Sequence, residues 1–222
     1  MTKDAKTADR GLATTVRAPQ QGRSKASYER MLAAAEELLA SRGSDEFTLN
    51  EVSKTGKVSI GSIYCRFDSK DSLIHAVQFR VLERVNEEML AQIAAARENA
   101  QGLPELVRLL VDAVAETLRK HAALMRPLML RASSDPVIAQ TGKQFYAESA
   151  DAFCTAILAH RDEIRQEDPV RATDSAFRIL YAPFARHLGF GSAIEAAWEG
   201  DWVVLKEDIS RMIAAFLLSP SR

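Results

Sequence analysis

The sequence predicts an all-α protein in which a three-helix N-terminal unit is joined by a long fourth helix to a larger helical region. Three observations support this prediction. Apolar residues recur at intervals of three or four positions through most of the 222 residues. Gly, Pro and capping residues divide this pattern into about nine helices. No segment alternates between apolar and polar residues, as a half-buried β-strand would.

A flexible basic arm is predicted at residues 1–22, because this segment is polar and lacks helical periodicity. The first 70 residues carry 12 Lys and Arg against 9 Asp and Glu, although the whole chain has a net charge of −1. The excess lies in Lys3, Lys6, Arg10, Arg17, Arg23 and Lys25. Such an arm is either simply solvated or lies along the backbone or minor groove of DNA. Arg23 and Lys25 are the candidates for the second role, since they precede the first helix directly.

Two short helices joined by a tight turn are predicted within residues 47–73. Thr48 and Glu51 have the spacing of a capping box, which starts the first of the two helices. Gly56 is expected to supply the left-handed residue that ends it, and Ser59 is expected to cap the second helix. This arrangement is a helix-turn-helix, whose second helix enters the major groove of DNA.

The second helix of this motif carries the residues expected to read DNA. Ile60, Gly61 and Ser62 are predicted to face the base edges, with Ile60 against a thymine methyl group. Gly61 costs ~1 kcal/mol relative to alanine inside a helix, a loss that makes sense if the backbone approaches DNA closely. The hydroxyl of Tyr64 can donate to a phosphate, although a half-buried aromatic residue is the alternative. Arg66 can pair with a phosphate or guanine, or lie on the surface facing away from DNA.

With the helix before it, predicted at residues 27–41, this segment resembles the N-terminal domain of the tetracycline-repressor-type (TetR) family of transcriptional regulators. The matching residues are Ala34, Ala35, Leu38, Gly43, Thr48, Val52, Gly56, Val58, Ser59, Gly61, Ile63, Tyr64, Phe67, Lys70 and Leu73. The resemblance implies a DNA-binding domain at residues 23–70 and a ligand-binding and dimerisation domain at residues 71–222. The fourth helix, predicted at residues 69–97, would connect them.

The resemblance also bears on individual positions. Lys70 matches a lysine that contacts phosphate in the family, with a solvated surface lysine as the alternative. Besides capping its helix, Thr48 can offer its hydroxyl and the nearby N–H groups to another phosphate. Ser59 is also predicted to be one of the DNA-binding residues. Asp68 and Cys65 depart from the family pattern, and Cys65 has no role that the sequence assigns.

By the same resemblance, a small molecule is expected to bind between the C-terminal helices. The apolar residues predicted to line its pocket are Leu124, Met125, Met129, Phe145, Phe153, Phe177, Tyr181 and Phe184. Ordinary core packing is the alternative for each of them. The polar groups available to orient a ligand are those of Tyr146, Tyr181, His121 and His187.

A homodimer interface is predicted from the last helix, residues 201–218. Its apolar residues step by three and four positions, which is the spacing of a helix–helix seam. The seam comprises Trp202, Leu205, Ile209, Met212 and Phe216, with Phe177 and Leu180 expected beside it on the preceding helix. Two copies of this pair of helices would form a four-helix interface. The alternative is that the seam packs within one chain.

These features favour a ligand-responsive transcriptional regulator, in the form of a repressor. It would bind a near-palindromic operator in double-stranded DNA as a homodimer and be released by a small, largely apolar effector. The alternative is the same fold acting as a ligand-independent regulator or one controlled by a protein partner.

Catalytic and membrane functions are disfavoured. None of the four histidines has Glu three residues before it, and no Gly-rich phosphate loop or nucleophile elbow occurs. No enzyme activity, cofactor or metal is therefore expected. The longest apolar runs fall short of the ~20 residues that span a bilayer. Two distant cysteines and the lack of a signal-peptide core at the start predict a cytoplasmic protein.

Overall fold

A computed structural model describes residues 22–191 and 200–220, with only the backbone described for Gly22 and Arg23. Within these ranges the chain forms nine α-helices, a short 3₁₀ helix at Arg161–Glu163 and no β-strand. The α-helices are α1 Gly22–Arg42, α2 Leu49–Thr55, α3 Ile60–Tyr64, α4 Lys70–Asn99, α5 Leu103–Lys120, α6 Ala122–Arg131, α7 Pro136–Leu158, α8 Pro169–His187 and α9 Trp202–Leu218. The predicted all-α fold is confirmed.

The largest departure from the predicted helix boundaries is at the start of α1. Helix α1 begins at Gly22 rather than at residue 27, so it includes the last position of the predicted flexible arm. The rest of that arm, residues 1–21, lies outside the described residues, as does the side chain of Arg23. Helix α7 ends at Leu158, and the chain then forms the 3₁₀ helix at Arg161–Glu163.

Helices α1, α2 and α3 form a small N-terminal unit, which is called the head below. Met31, Ala35 and Leu39 form the buried stripe of α1. Phe67, which follows α3, is completely buried and stacks on Tyr28 of α1 at 5.8 Å between ring centroids. These contacts fix the two short helices, which are too short to be stable alone, against a longer one.

Helix α4 connects the head to the rest of the chain. Its 30 residues span about 45 Å at 1.5 Å per residue. Near its start it packs against α1, and along its length against α5 and α7. Its buried stripe continues without a break from Leu73 to Ala96. A displacement of this helix would therefore move the head relative to the C-terminal helices.

Helix α5 lies at the centre of the C-terminal region and packs against α4, α6, α7, α8 and α9. One face of α5 is almost wholly apolar and buried, including Leu106, Leu110, Val114 and Leu118. Helices α8 and α9 lie side by side on its outer face. Among the helices of the described residues, none combines the length and apolar character needed to cross a membrane.

Candidate nucleic-acid interface and ligand cavity

The second helix of the motif, α3, is anchored by one residue and presents another to solvent. Ile63 is completely buried, whereas Tyr64 is 58% exposed. Ser59 caps the helix by accepting the backbone N–H of Ser62 at 3.1 Å, and the two hydroxyl oxygens lie 2.7 Å apart. The exposure of Tyr64 rules out the alternative of a core aromatic residue and leaves its hydroxyl available to a partner.

The three positions predicted to read bases differ in exposure. Gly61 is exposed, and a Cβ atom built on it would meet no atom within 4 Å. Nothing in the described protein therefore requires glycine here, which keeps close approach of DNA as its explanation. Ser62 is half-buried. Ile60 is also half-buried and packs against the core, so less of its side chain is left to contact a base than the sequence suggested.

The turn of the motif corrects one sequence prediction. Gly56 is right-handed, with φ −79°, and the left-handed residue is Lys57, with φ 48°. Glycine is needed at position 56 for space instead: an added Cβ would lie 2.9 Å from the carbonyl oxygen of Arg30. Lys57 is exposed and lies two residues before Ser59, the cap of the recognition helix. Sequence reasoning did not single out this cation.

The start of α2 has the predicted capping box, extended by Arg42. The backbone N–H and hydroxyl of Thr48 donate to Glu51 Oε2 at 2.8 and 2.9 Å, and the Glu51 N–H donates back to the Thr48 hydroxyl. Arg42 also donates to the Glu51 carboxylate. Together Arg42 and the Thr48 donors lower the pKa of Glu51 from its ordinary 4.5 to about 2. The Thr48 hydroxyl thus serves the cap first, and its contact with a phosphate stays a prediction.

Arg66 is engaged within the head, so its contact with a phosphate or guanine stays a prediction. Its guanidinium donates to the hydroxyl and the carbonyl oxygen of Ser24, and it lies over the Tyr28 ring at 5.8 Å. Arg66 therefore holds the beginning of α1 against the end of α3. Lys25, one residue further along α1, is exposed.

Lys70 is held by the head itself. Its ammonium group donates to the carbonyl oxygen of Asp45 at 2.7 Å and lies 3.9 Å from the Asp45 carboxylate. It also lies 5.3 Å from the centre of the Phe47 ring. The side chain is one-third exposed, so the charge lies at the surface in a fixed position.

Asp45 also connects the head to the C-terminal helices. Arg131, at the end of α6, pairs with the carboxylates of Asp45 and Asp71 and with Asp135 at 3.2 Å. His75 on α4 pairs with the same Asp135 at 2.8 Å. Asp135 caps α7, so these residues, called the Arg131 cluster below, link the head to the starts of α4 and α7.

A cavity of about 340 Å³ lies among the C-terminal helices. It is lined by residues of α4, α5, α6, α7 and α8, and its wall is mainly apolar. Five of the predicted pocket residues line it, namely Met125, Met129, Phe145, Phe177 and Tyr181. Its size lies at the small end of the range for ligand sites, about 300–1,000 Å³.

Three predicted pocket residues lie elsewhere. Phe153 packs behind the wall, 5.3 Å from Phe177 between ring centroids. Phe184 faces Trp202 of α9 at 5.1 Å. Leu124 packs against the core without lining the cavity. All three have the apolar periodicity of their helices, which marks a buried face without showing whether that face meets a side chain or a cavity.

The polar groups of the cavity were only partly predicted. Tyr146 and Tyr181 both line it, and desolvation raises the pKa of Tyr146 and raises that of Tyr181 to about 12, so both hydroxyls are neutral at pH 7. His121 is instead bonded to Glu88 at 2.9 Å, and His187 lies against Trp202. Sequence reasoning missed the polar lining residues Gln78, Asn86, Lys143 and Ser149.

Comparisons with known proteins agree with this geometry. Residues 31–77 match the family described as "Bacterial regulatory proteins, tetR family", over α1, the helix-turn-helix and the beginning of α4. Residues 31–77 therefore carry a DNA-binding domain of the TetR family type.

Solved structures extend the likeness in fold over most of the chain. A protein from Mesorhizobium loti assigned to the TetR-family transcriptional regulators shares 19% identity, with a TM-score of 0.71 over 89% of this chain and 98% of that one. GusR of Salmonella enterica shares 22% identity, with a TM-score of 0.62 over 86% and 95%. The fatty acid degradation regulator FadR of Bacillus halodurans shares 15%, with a TM-score of 0.61 over 88% and 96%. At these identities the likeness shows a shared fold.

A search of curated protein sequences finds no significant match. The family match and the shared fold together support a DNA-binding transcriptional regulator.

The predicted dimer seam is wrong for four residues. Phe177, Leu180, Trp202 and Ile209 are buried inside the single chain. Helix α9 turns its apolar stripe toward α5, where the Trp202 indole N–H donates to Glu116 at 2.8 Å. Leu205 and Phe216 are half-buried against the same core, whereas Met212 is 61% exposed. Most of the spacing that predicted a seam between chains is therefore explained by packing within one.

Proposed function

We propose that the protein is a ligand-responsive repressor that binds a near-palindromic operator as a homodimer and is released by a small, largely apolar effector. One observation carries this proposal. Helix α6 supplies Met125 and Met129 to the cavity wall and, two residues later, supplies Arg131 to the cluster that reaches Asp45 of the head. A ligand that moves α6 would thus act directly on the DNA-reading part.

Helix α4 offers a second connection between cavity and head. It begins at Lys70, beside the head, and two turns later Gln78 reaches the cavity. We place the boundary between the two domains at residues 70–71, where α4 begins. Helix α4 packs against both domains. An effector that binds better to the conformation with misplaced heads must weaken operator affinity by the same factor.

A homodimer is supported by apolar surface on the two helices that lie on the outer face of α5. The exposed apolar side chains there are Ile179 of α8 and Val203, Val204, Met212 and Leu218 of α9, which are 39–61% exposed. Exposed apolar side chains gathered on two neighbouring helices are a common feature of an interface. For a dimer formed on this surface to bind an operator, its two α3 helices would need to lie about 34–36 Å apart, so that they reach successive major grooves.

The DNA contacts proposed for each head start from the exposed face of α3. Gly61, Ser62 and the exposed part of Ile60 would meet base edges, while Tyr64, Lys70 and the cap of α2 would meet phosphates. Such a regulator acts where the chromosome is, in the cytoplasm.

The deciding experiment is selection of bound sequences from a random pool of double-stranded DNA, using the full chain. The proposal predicts an enriched sequence with two inverted half-sites about one helical turn apart. A matched pair of variants then tests the binding face. Gly61→Ala and Gly142→Ala both lie in helices, and in both the added Cβ meets no atom within 4 Å. Because Gly142 lines the cavity, both variants are compared without effector.

Both alanines should raise stability slightly, by up to ~1 kcal/mol, through helix propensity. Only Gly61→Ala should weaken binding to the selected operator, because only its methyl group would stand between α3 and the groove. Enrichment of no sequence, or of a single half-site without symmetry, would contradict the proposed function. Equal operator affinity for the two variants would contradict the proposed face.

A further inference from the structure

Gln78 carries an unpaired hydrogen-bonding group beside the cavity. The residue is 3% exposed and forms part of the cavity wall. Its amide nitrogen donates to the carbonyl oxygen of Ile138 at 2.8 Å, which fixes the orientation of the amide because a carbonyl accepts only from the nitrogen. Its Oε1 atom is buried and has no hydrogen-bond partner in the described part of the chain.

The other buried amide of the wall is satisfied by the protein. Asn86 donates to Glu148 at 2.9 Å and accepts the hydroxyl of Ser149 at 3.4 Å. Gln78 therefore differs from Asn86 in having an acceptor left over. Buried acceptors without a donor are costly and uncommon, and an unpartnered acceptor in a residue of the cavity wall is explained if a ligand supplies the donor.

The charges around the cavity favour an uncharged ligand. The buried polar side chains of its wall, Gln78 and Asn86, are neutral amides. Lys143 also lines the cavity, but it is exposed, so its charge lies in solvent at the rim. An ionised group in the interior would lose its hydration without gaining a buried partner of opposite charge.

Aromatic rings form one side of the cavity. Tyr146 lies edge-on to Phe177 at 5.3 Å and to Tyr181 at 4.9 Å between ring centroids. A further ring in the cavity would continue this arrangement at favourable distances. The volume of about 340 Å³ holds on the order of ten non-hydrogen atoms, since one liquid water occupies about 30 Å³.

The geometry points to an effector of one chemical class: a small, uncharged aromatic molecule carrying a hydroxyl or N–H group that donates to Gln78 Oε1. This inference rests on the proposed function, and it adds how the effector is recognised. The donor of the ligand would bond to Gln78 on α4. The same side chain connects α4 to the first turn of α7 through its bond to Ile138. Ligand binding would thus act on α4, the helix that leads to the head.

The test compares ligands that differ in one group. 2-Naphthol and 2-methylnaphthalene have nearly the same shape, but only the naphthol can donate a hydrogen bond. Calorimetric titration of the full chain should show naphthol binding about tenfold more tightly or better. Without a partner for its hydroxyl, naphthol would lose affinity relative to the methyl compound, because the hydroxyl must give up water. 2-Naphthoate, the charged analogue, should bind weakest.

Substitution of Gln78 supplies the second arm. In Gln78→Met the side chain keeps a similar length but has no amide oxygen, so the preference should reverse toward 2-methylnaphthalene. Asn86→Met is the matched control: it removes the other buried amide of the wall, and the preference for naphthol should persist. Thermal unfolding of each variant checks that it is folded. If Gln78→Met does not fold, the comparison of ligands on the unchanged protein still decides.

Several results would overturn the inference. These are equal or tighter binding of 2-methylnaphthalene to the unchanged chain, tightest binding of naphthoate, no binding of any of the three, or a preference for naphthol that survives in Gln78→Met. Operator binding without ligand is measured on the same preparation. If the operator binds and the ligand preference fails, only this inference falls. If no operator binds, the proposed function fails whatever the ligands do.

Discussion

Arg131 on α6 forms an ion pair with Asp45, a residue 86 positions away in the loop that leads into the helix-turn-helix. The Arg131 side chain is 16% exposed and the Asp45 side chain 33% exposed, so solvent screens the pair only in part. Desolvation opposes the charge of Arg131, yet the neighbouring carboxylates prevail and raise its pKa. The pair belongs both to the head and to the helix that lines the cavity.

We expect the Arg131–Asp45 pair to stabilise the fold measurably. Arg131→Met should lower the free energy of unfolding by about 2 kcal/mol, because it removes the guanidinium that the Asp45, Asp71 and Asp135 carboxylates share. Asp45→Asn should cost about 1 kcal/mol. Urea unfolding of both single variants and the double variant forms a double-mutant cycle, with an expected coupling of about 1 kcal/mol. Costs that add within about 0.5 kcal/mol would show that the two side chains do not interact in solution.

Operator binding by Tyr64 and Lys70 should differ in its dependence on salt. Tyr64→Phe removes a neutral donor from an exposed side chain, so affinity should fall about three- to tenfold for every sequence without a change in salt slope. Lys70→Met removes a charge that displaces counterions. It should reduce the slope of log affinity against log salt by roughly 0.9 for each phosphate that is no longer neutralised. Fluorescence anisotropy with the selected operator measures both effects.

Arg66→Met provides the control for these measurements. It also removes one positive charge from the head, but the guanidinium of Arg66 is directed to Ser24 and Tyr28 of α1. Its removal should therefore leave the salt slope unchanged while lowering the melting temperature. If Arg66→Met reduces the salt slope as much as Lys70→Met does, Arg66 belongs to the DNA interface.

The sequence predicted the class of fold and the helix-turn-helix because these depend on local rules. The capping box of Thr48 and Glu51 needs only two residues three positions apart, and it forms as expected. Contacts between distant segments have no such signal. The carboxylates around Arg131 and the partner of Arg66 depend on how α1, α4 and α6 come together, which periodicity does not reveal.

Periodicity also marks a buried face without naming what covers it. The three-and-four spacing from Trp202 to Phe216 predicts a seam between chains, but α9 turns most of that stripe to α5. The same ambiguity explains why Phe153 and Phe184 are predicted to line the cavity, which they do not. Polar lining residues such as Gln78 give no sequence signal because each lies singly among apolar neighbours.

We expect Lys57 to lower the stability of the fold and to supply a positive charge for operator binding. It is the non-glycine residue with positive φ in the described chain, and the left-handed conformation costs a residue with a Cβ roughly 1–2 kcal/mol. Lys57→Gly removes that strain, partly offset by the greater freedom of glycine in the unfolded chain. Net stability should rise by about 0.5–1 kcal/mol in urea unfolding. Operator affinity should fall at the same time, because the variant lacks an exposed cation next to α3.

Higher stability together with lower operator affinity in Lys57→Gly would exclude unfolding as the cause of weaker binding. Lys57→Asn serves as the control: it also removes the charge, but asparagine tolerates the left-handed region less well than glycine. It should match Lys57→Gly in operator affinity and fall below it in stability. Unchanged operator affinity in both variants would remove Lys57 from the DNA-binding face.

Acid should weaken the head through Glu51. Its pKa is about 2 in the folded chain against an ordinary 4.5, because Arg42 and the Thr48 donors hold the charged form. A carboxyl with a depressed folded pKa contributes stability that is fully present above pH 4.5 and is lost as the pH falls toward 2. Glu51→Gln should therefore be less stable than the unchanged chain at pH 7, and the difference should shrink between about pH 4.5 and 2.5. Urea unfolding at several pH values measures it, and a constant difference would contradict the role of the charge.

The exposed apolar surface of α8 and α9 should hold the dimer together. Ile179 and Met212 are 49% and 61% exposed, so changing either one to glutamate does not disturb the core of a single chain. The double variant Ile179→Glu, Met212→Glu should sediment as a monomer at concentrations where the unchanged chain is a dimer, because like charges would be buried on both sides of a two-fold interface. Operator affinity should fall by several orders of magnitude, since each half-site would then bind a separate head.

Leu90→Glu is the matched control for this surface. Leu90 is a similarly apolar residue, 38% exposed on α4, and it lies away from α8 and α9 in the chain. This variant should remain a dimer and keep its operator affinity. If the double variant of α8 and α9 also stays a dimer in sedimentation velocity experiments, the two-fold contact must lie on another face. The spacing of the two α3 helices would then have to be set by a different pair of helices.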